Sequence, residues 1–270
     1  MAEMINPFRG LLPFEPQHAA LFFGRDREIE DVASLLEERR LLAVTGVSGS
    51  GKSSLVLAGV VPMLQAGMLP RLGTVRVAIM KPRGGPLAEL ARSLENTLGR
   101  VIDTATLTRT TYGLVDAVKR LPPGESLLVV VDQFEEIFPY RRDRLKVDGG
   151  AEADRFIHLL LRAAEQDEVP IYVILTMRSD FLGSCAIFRG LPEALNGGHY
   201  LVPRMTRHQL QEAIESPLGV IGVSIHPAVV QRLLNECDDE PDHLPVLQHL
   251  LRRMFEEGAF EGGASGRPTR

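Results

Sequence analysis

The sequence predicts an α/β fold in three layers, a parallel sheet covered on both faces by helices, followed by a C-terminal helical subdomain. Three observations carry this. Apolar, β-branched runs alternate with segments of helical period up to about residue 204. Several of those runs are apolar on consecutive residues, the mark of strands buried on both faces. Beyond residue 204 the strand signals stop and helical segments follow one another directly. A chain of 270 residues with 44% hydrophobic and 24% charged residues has ordinary globular proportions.

The expected strands, in order, are "LLAVTG" (41–46), "TVRVAIM" (74–80), "SLLVVVDQF" (126–134), "PIYVILTMR" (170–178) and a weak "HYLVP" (199–203). Helical periodicity falls between them at about 26–39, 52–66, 86–99, 111–120 and 152–166, so the strands alternate with crossover helices as in βαβ units. After residue 204, "TRHQLQEAIESPLGV", "HPAVVQRLLNEC" and "LPVLQHLLRRMFEE" read as helices, with Thr206, His226 and Pro241 near their starts. The Gly-rich stretch "GAFEGGASGRPTR" at 258–270 reads as a disordered tail.

The chemistry begins where the first strand meets "GVSGSGKS", which fits G-x-x-x-x-G-K-S in full: Gly46, Val47, Ser48, Gly49, Ser50, Gly51, Lys52 and Ser53, with Ser54 next. A strand before and a helix after supply the context this motif requires. The glycines let the backbone wrap closely enough for its N–H groups to point at phosphate oxygens. The helix starting near Lys52 adds its positive dipole end. Lys52 is placed to reach the β- and γ-phosphates, and the Ser53 hydroxyl to ligate Mg²⁺.

Such a loop needs an acid on the metal side. In "LLVVVDQFEEIF", Asp132 follows five apolar residues and emerges at the carboxyl edge of the sheet, where ligands of open α/β sheets bind. It is the expected Mg²⁺ partner. Glu135 and Glu136 follow just past the strand; one of them would orient or deprotonate the attacking water, or both are first-turn acids favoured by a helix dipole. The next strand ends in Arg178, a cation suited to the γ-phosphate or, alternatively, to a pair with Asp180.

Bulk properties narrow the rest. The net charge of −5 disfavours a broad nucleic-acid surface. Two cysteines, Cys185 and Cys237, read as reduced thiols of a cytoplasmic protein. The N-terminal stretch lacks the layout of a secretory leader, and no apolar run approaches the roughly 20 residues that span a bilayer. Scattered histidines give no Ser-His-Asp arrangement.

Together, "NPFRGLLPF", "FFGRDREIE", "GVSGSGKSS", "VVVDQFEEIF", "ILTMRSDFL" and "LPVLQHLL" resemble the nucleotide-binding core of the STAND class of signal-transduction P-loop ATPases, which includes NACHT and AP-ATPase relatives, over roughly residues 5–257. The resemblance implies a sheet order of 5-1-4-3-2. It implies an N-terminal segment (1–25) packing on the nucleotide site, a P-loop domain (26–204), a helical lid (205–257) and the tail (258–270). It places Phe23, Gly24 and Arg25 of "FFGR" along the adenine side, Glu135 at the water, Arg178 as γ-phosphate sensor and Pro245 of the lid near the base. ATP or ADP with Mg²⁺ would be the cofactors, and ATP rather than GTP is implied by the resemblance alone. The implied function is a slowly hydrolysing bacterial signalling switch that self-associates with ATP. Such proteins usually continue into a winged-helix domain and a repeat sensor and often carry an effector; with the sequence stopping after the lid, the expectation is either a fragment of such a protein or a minimal form. A conventional P-loop ATPase or kinase, and a non-hydrolysing binding module, fit the same motif.

Overall fold

The computed structural model describes residues 5–143, 148–237 and 243–260. The chain forms two compact units. One runs over Glu30–Val47 and Met63–Val202; the other takes the residues up to Ile29, Ser48–Pro62, and those from Pro203 onward.

The first unit is built on five strands: β1 (Leu41–Gly46), β2 (Thr74–Met80), β3 (Glu125–Val131), β4 (Ile171–Arg178) and β5 (His199–Leu201). Their order is β2-β3-β4-β1-β5 with every pair parallel, the predicted order read from the other edge. The consecutive apolar runs explain the burial: all six residues of β1 and the first seven of β4 are buried. Helices Pro86–Leu98 and Gly149–Glu165 present Leu87, Leu90 and Leu94, and Phe156, Ile157 and Leu160, to a core that also holds Val129, Val173 and Leu175.

The register places the sheet's functional edge. Gly46 pairs with Arg178, and Val131 pairs with Leu175. Asp132, just past the end of β3, and Thr176, still within β4, therefore stand at the same level, one residue past that last pair. The strand stops at Val131 rather than at the expected Phe134, because Gln133 turns into the left-handed region at φ 58° and Phe134–Glu136 form a 3₁₀ turn. The helix expected over 111–120 is confined to Gly113–Val118, and Thr104–Thr108 forms a further helix. Asp103 starts it by accepting a hydrogen bond from the Thr106 N–H at 2.7 Å.

In the second unit, the segment after the Gly-rich loop is helical from Lys52 but widens into a π-helical stretch at Leu55–Val60 before closing as Val61–Gln65. Pro62 lacks the N–H that an α-helix would give to Ala58. The register widens just before it, and Val61 N–H reaches Val56 O. Helices Arg207–Val220, Pro227–Cys237 and His243–Glu256 share a core of Leu210, Ile214, Leu218, Val230, Leu233, Leu234, Leu247 and Leu251. Phe8 is buried among them, and Asn6 donates to Arg252 O. Thr206 and Gln209 form a reciprocal capping box at the start of the first of these helices. Pro241 and the tail beyond residue 260 lie outside the described residues. No helix among the described residues is long and apolar enough to cross a membrane.

Candidate functional site

The Gly-rich loop lies mostly in the second unit. Gly49 and Gly51 adopt φ of +76° and +85°, which only glycine takes without strain. A Cβ on Gly49 would stand 2.7 Å from Cγ of Pro245, so the ring of Pro245 rests directly on the loop backbone. At Gly51 a Cβ would meet nothing within 4 Å: the loop backbone faces open space there. Lys52 is buried, with Nζ 3.5 Å from Ser50 Oγ. Ser53 and Ser54 are half-buried, and Ser54 Oγ accepts a hydrogen bond from the Phe14 N–H at 3.1 Å. Val47 and Ser48 are exposed.

"FFGR" runs beside this loop. The Phe22 ring packs against Phe14, tilted by 53° with centroids 5.6 Å apart, and Phe23 is half-buried. Arg25 is only 3% exposed and donates to Glu28 Oε1, to Pro203 O and to Ser50 O. Its guanidinium is thus spent on the protein's own backbone and one buried acid.

The carboxyl edge of the sheet, in the first unit, gathers the acids. Asp132 has no exposed surface. The Thr176 hydroxyl donates to Asp132 Oδ1 at 2.7 Å and accepts from the Gln133 N–H at 3.0 Å, which fixes the carboxylate's orientation. Lys81 Nζ lies 3.2 Å from Asp132 Oδ2. Glu136 Oε1 pairs with Arg83 at 2.9 Å. Glu135 Oε2 and Glu136 Oε2 are buried and accept no hydrogen bond among the described residues. Arg178 is half-exposed and binds Asp180 through two parallel bonds of 3.0 and 2.8 Å. The Asp180 hydrogen bond and charge, with a smaller contribution from Glu135, raise its pKa above the ordinary guanidinium value, so it stays a cation.

Sequence reasoning gave no role to Thr176 or Lys81, two groups that touch Asp132. Their signal was available only as polar residues at the ends of β4 and β2. Their meeting with Asp132 depends on strand order, which a linear pattern does not contain.

A family model described as Novel STAND NTPase 1 matches residues 7–265. The chain belongs to this family. No curated protein matches this STAND NTPase in sequence. Among solved structures it is similar to the ORC2 protein of Aeropyrum pernix, solved as ADPNP–ADP complexes, at 18% identity and a TM-score of 0.63 over 87% of this chain and 63% of that one. It is similar to a chain of the E. coli MS115-1 HORMA:CdnC:Trip13 complex, at 17% identity and a TM-score of 0.60 over 94% and 89% of the two chains. The Walker-type ATPase paby2304 of Pyrococcus abyssi follows at 16% identity and a TM-score of 0.57, over 92% and 71%. The STAND NTPase spans less than two thirds of the ORC2 chain. At these identities the likeness is one of fold: a parallel-sheet P-loop NTPase.

On the sheet edge of its first unit the STAND NTPase offers hard oxygen donors of the kind magnesium takes: the oriented Asp132 carboxylate and the buried Glu135 oxygen that accepts no hydrogen bond among the described residues. No group of three or more His, Cys, Asp or Glu among the described residues is arranged to hold a metal. Such a donor set fits a hydrated ion that also takes nucleotide phosphates as ligands, as Mg²⁺ does.

Proposed function

We propose that this chain binds ATP and ADP with magnesium and hydrolyses ATP slowly, as the resetting step of a signalling switch. The observation that carries the reading is the complete loop Gly46–Ser53 with Lys52 at the first turn of its helix, following a strand whose last residue is in register with Arg178. Loop N–H groups and Lys52 take the phosphates. Ser53 and Asp132 hold the magnesium, which when bound offsets negative charge on the phosphate oxygens. Thr176 keeps Asp132 aimed. Arg178 is the cation available to a γ-phosphate, which would compete with Asp180 for it. A switch further requires that the two nucleotides favour different conformations; the family supports that reading, and with it self-association in the ATP state.

Of the two acids, Glu135 is the better candidate to activate water. Its Oε2 accepts no hydrogen bond among the described residues, whereas Glu136 is engaged by Arg83. Glu135→Gln is therefore expected to leave nucleotide affinity unchanged and to slow phosphate release about 100-fold or more, the usual worth of a general base. Glu136→Gln is expected to change it by less than about tenfold. Single-turnover hydrolysis with γ-labelled ATP separates the two. Hydrolysis at the wild-type rate in both variants would mean that neither carboxylate serves the water.

A further inference from the structure

We propose that Arg25, Glu28 and Gln209 form a buried relay that positions the phosphate-loop amide of Gly51, so that the first turn of the C-terminal helices controls nucleotide affinity without touching nucleotide. The inference rests on the phosphate-loop reading above.

Arg25 Nη2 lies 3.3 Å from Ser50 O. The carbonyl of Ser50 and the N–H of Gly51 belong to one trans peptide plane and point in opposite directions. A guanidinium that holds the carbonyl to one side therefore aims the Gly51 N–H to the other. Gly51 is in the left-handed region with open space where a Cβ would stand, so the orientation of that plane rests on the partners of its carbonyl and amide. Arg25 supplies the constraint.

Arg25 is itself held. Nη1 donates to Pro203 O at 2.9 Å and to Glu28 Oε1 at 3.0 Å, and the Arg25 and Glu28 side chains are 4% and 5% exposed. Burial of this pair is costly unless the remaining lone pairs are satisfied. Gln209 satisfies them: its amide Nε2 donates to both Glu28 oxygens at 2.9 and 3.1 Å. Gln209 sits in the capping box of Arg207–Val220, and its backbone carbonyl lies 2.4 Å from where a Cβ on Gly24 would be. Gly24, at φ +81°, is the residue that lets this helix start come so close to Arg25.

The chain of bonds runs from the helix start through two buried side chains to one loop peptide. A rigid, planar fork suits it, and lysine at position 25 would not reach three acceptors at once. Gln209, Glu28 and Arg25 are thus positioning residues for phosphate binding.

The test compares Gln209→Leu with Gln209→Lys. Both lose the cap oxygen; only lysine keeps a donor facing Glu28. ADP affinity is measured by calorimetry on the full chain, alongside hydrogen exchange of the Gly51 amide with and without ADP. The expected result is a Kd about five- to tenfold higher for the leucine variant, reduced ADP protection of Gly51, and a lysine variant within about twofold of wild type. Equal Kd values for the two variants would overturn the relay, because the cap alone would then explain any loss. Glu28→Gln, which keeps the shape and removes the charge, reads the same bond from its other side, so the test survives a leucine variant that does not fold. An unchanged Kd in Glu28→Gln would also overturn the relay. Absence of ADP binding by the wild-type chain would overturn the nucleotide reading itself, and the relay with it.

Discussion

Lys52→Ala is expected to raise the Kd for both ADP and ATP by about 10- to 100-fold, the loss of a charged hydrogen bond to phosphate worth about 1.5–3 kcal/mol. The nucleotide-free protein is expected to be no less stable than wild type. Lys52 is 8% exposed, so its side chain is largely buried. Removing a desolvated cation relieves a cost as well as losing a contact. The signature is a split. Thermal midpoints without nucleotide coincide, whereas the rise that saturating ADP produces in wild type disappears in the variant, as mass action requires of a ligand that no longer binds the native state. Calorimetry and a melt with and without ADP read both halves. Unchanged affinity for both nucleotides would contradict the phosphate-loop assignment.

Asp132→Asn is the second large effect. Asparagine keeps the shape and an oxygen to accept the Thr176 hydroxyl, so the fold is expected to persist despite the complete burial of this position. The charge is what disappears. Magnesium is expected to strengthen ATP binding in wild type and to stop doing so in the variant, and hydrolysis is expected to fall about 100-fold, equivalent to about 2.7 kcal/mol of barrier. Lys81, half-exposed and 3.2 Å from the carboxylate, remains beside the site and adds an uncompensated cation. Titrating MgCl₂ at fixed ATP distinguishes this from a folding defect. A variant whose ATP affinity still rises with magnesium would remove Asp132 from the metal.

The strongly periodic parts of this molecule were legible. Runs such as "LLAVTG" and "PIYVILTMR" are apolar on consecutive residues, which identifies doubly buried strands, and β1, β2 and β4 lie within a residue of their expected limits. The loop motif announced its own place between a strand and a helix. The order of strands followed from family resemblance, since a hydrophobic pattern carries no information about which strand neighbours which. What was hidden depends on contacts between distant segments. The resemblance placed Arg25 along the base side; its bonds to Ser50 O, Pro203 O and Glu28 join segments that come together only in the folded chain. Thr176 and Lys81 flank Asp132 because β4 and β2 border β3. The left-handed Gln133 ended β3 early, and nothing in "VVVDQFEEIF" distinguishes that turn from three more strand residues. Nor does linear reading divide the chain as the structure does, with Ser48–Pro62 grouped with the residues from Pro203 onward.

The reading as a nucleotide-held switch is tested most directly by denaturing the freshly purified protein and identifying the released nucleotide by ion-pair chromatography. A switch resting in its ADP state is expected to release close to one ADP per chain. Protein that releases no nucleotide, and that binds added ADP only with rapid exchange, would contradict a tightly held resting state and leave turnover itself as the output.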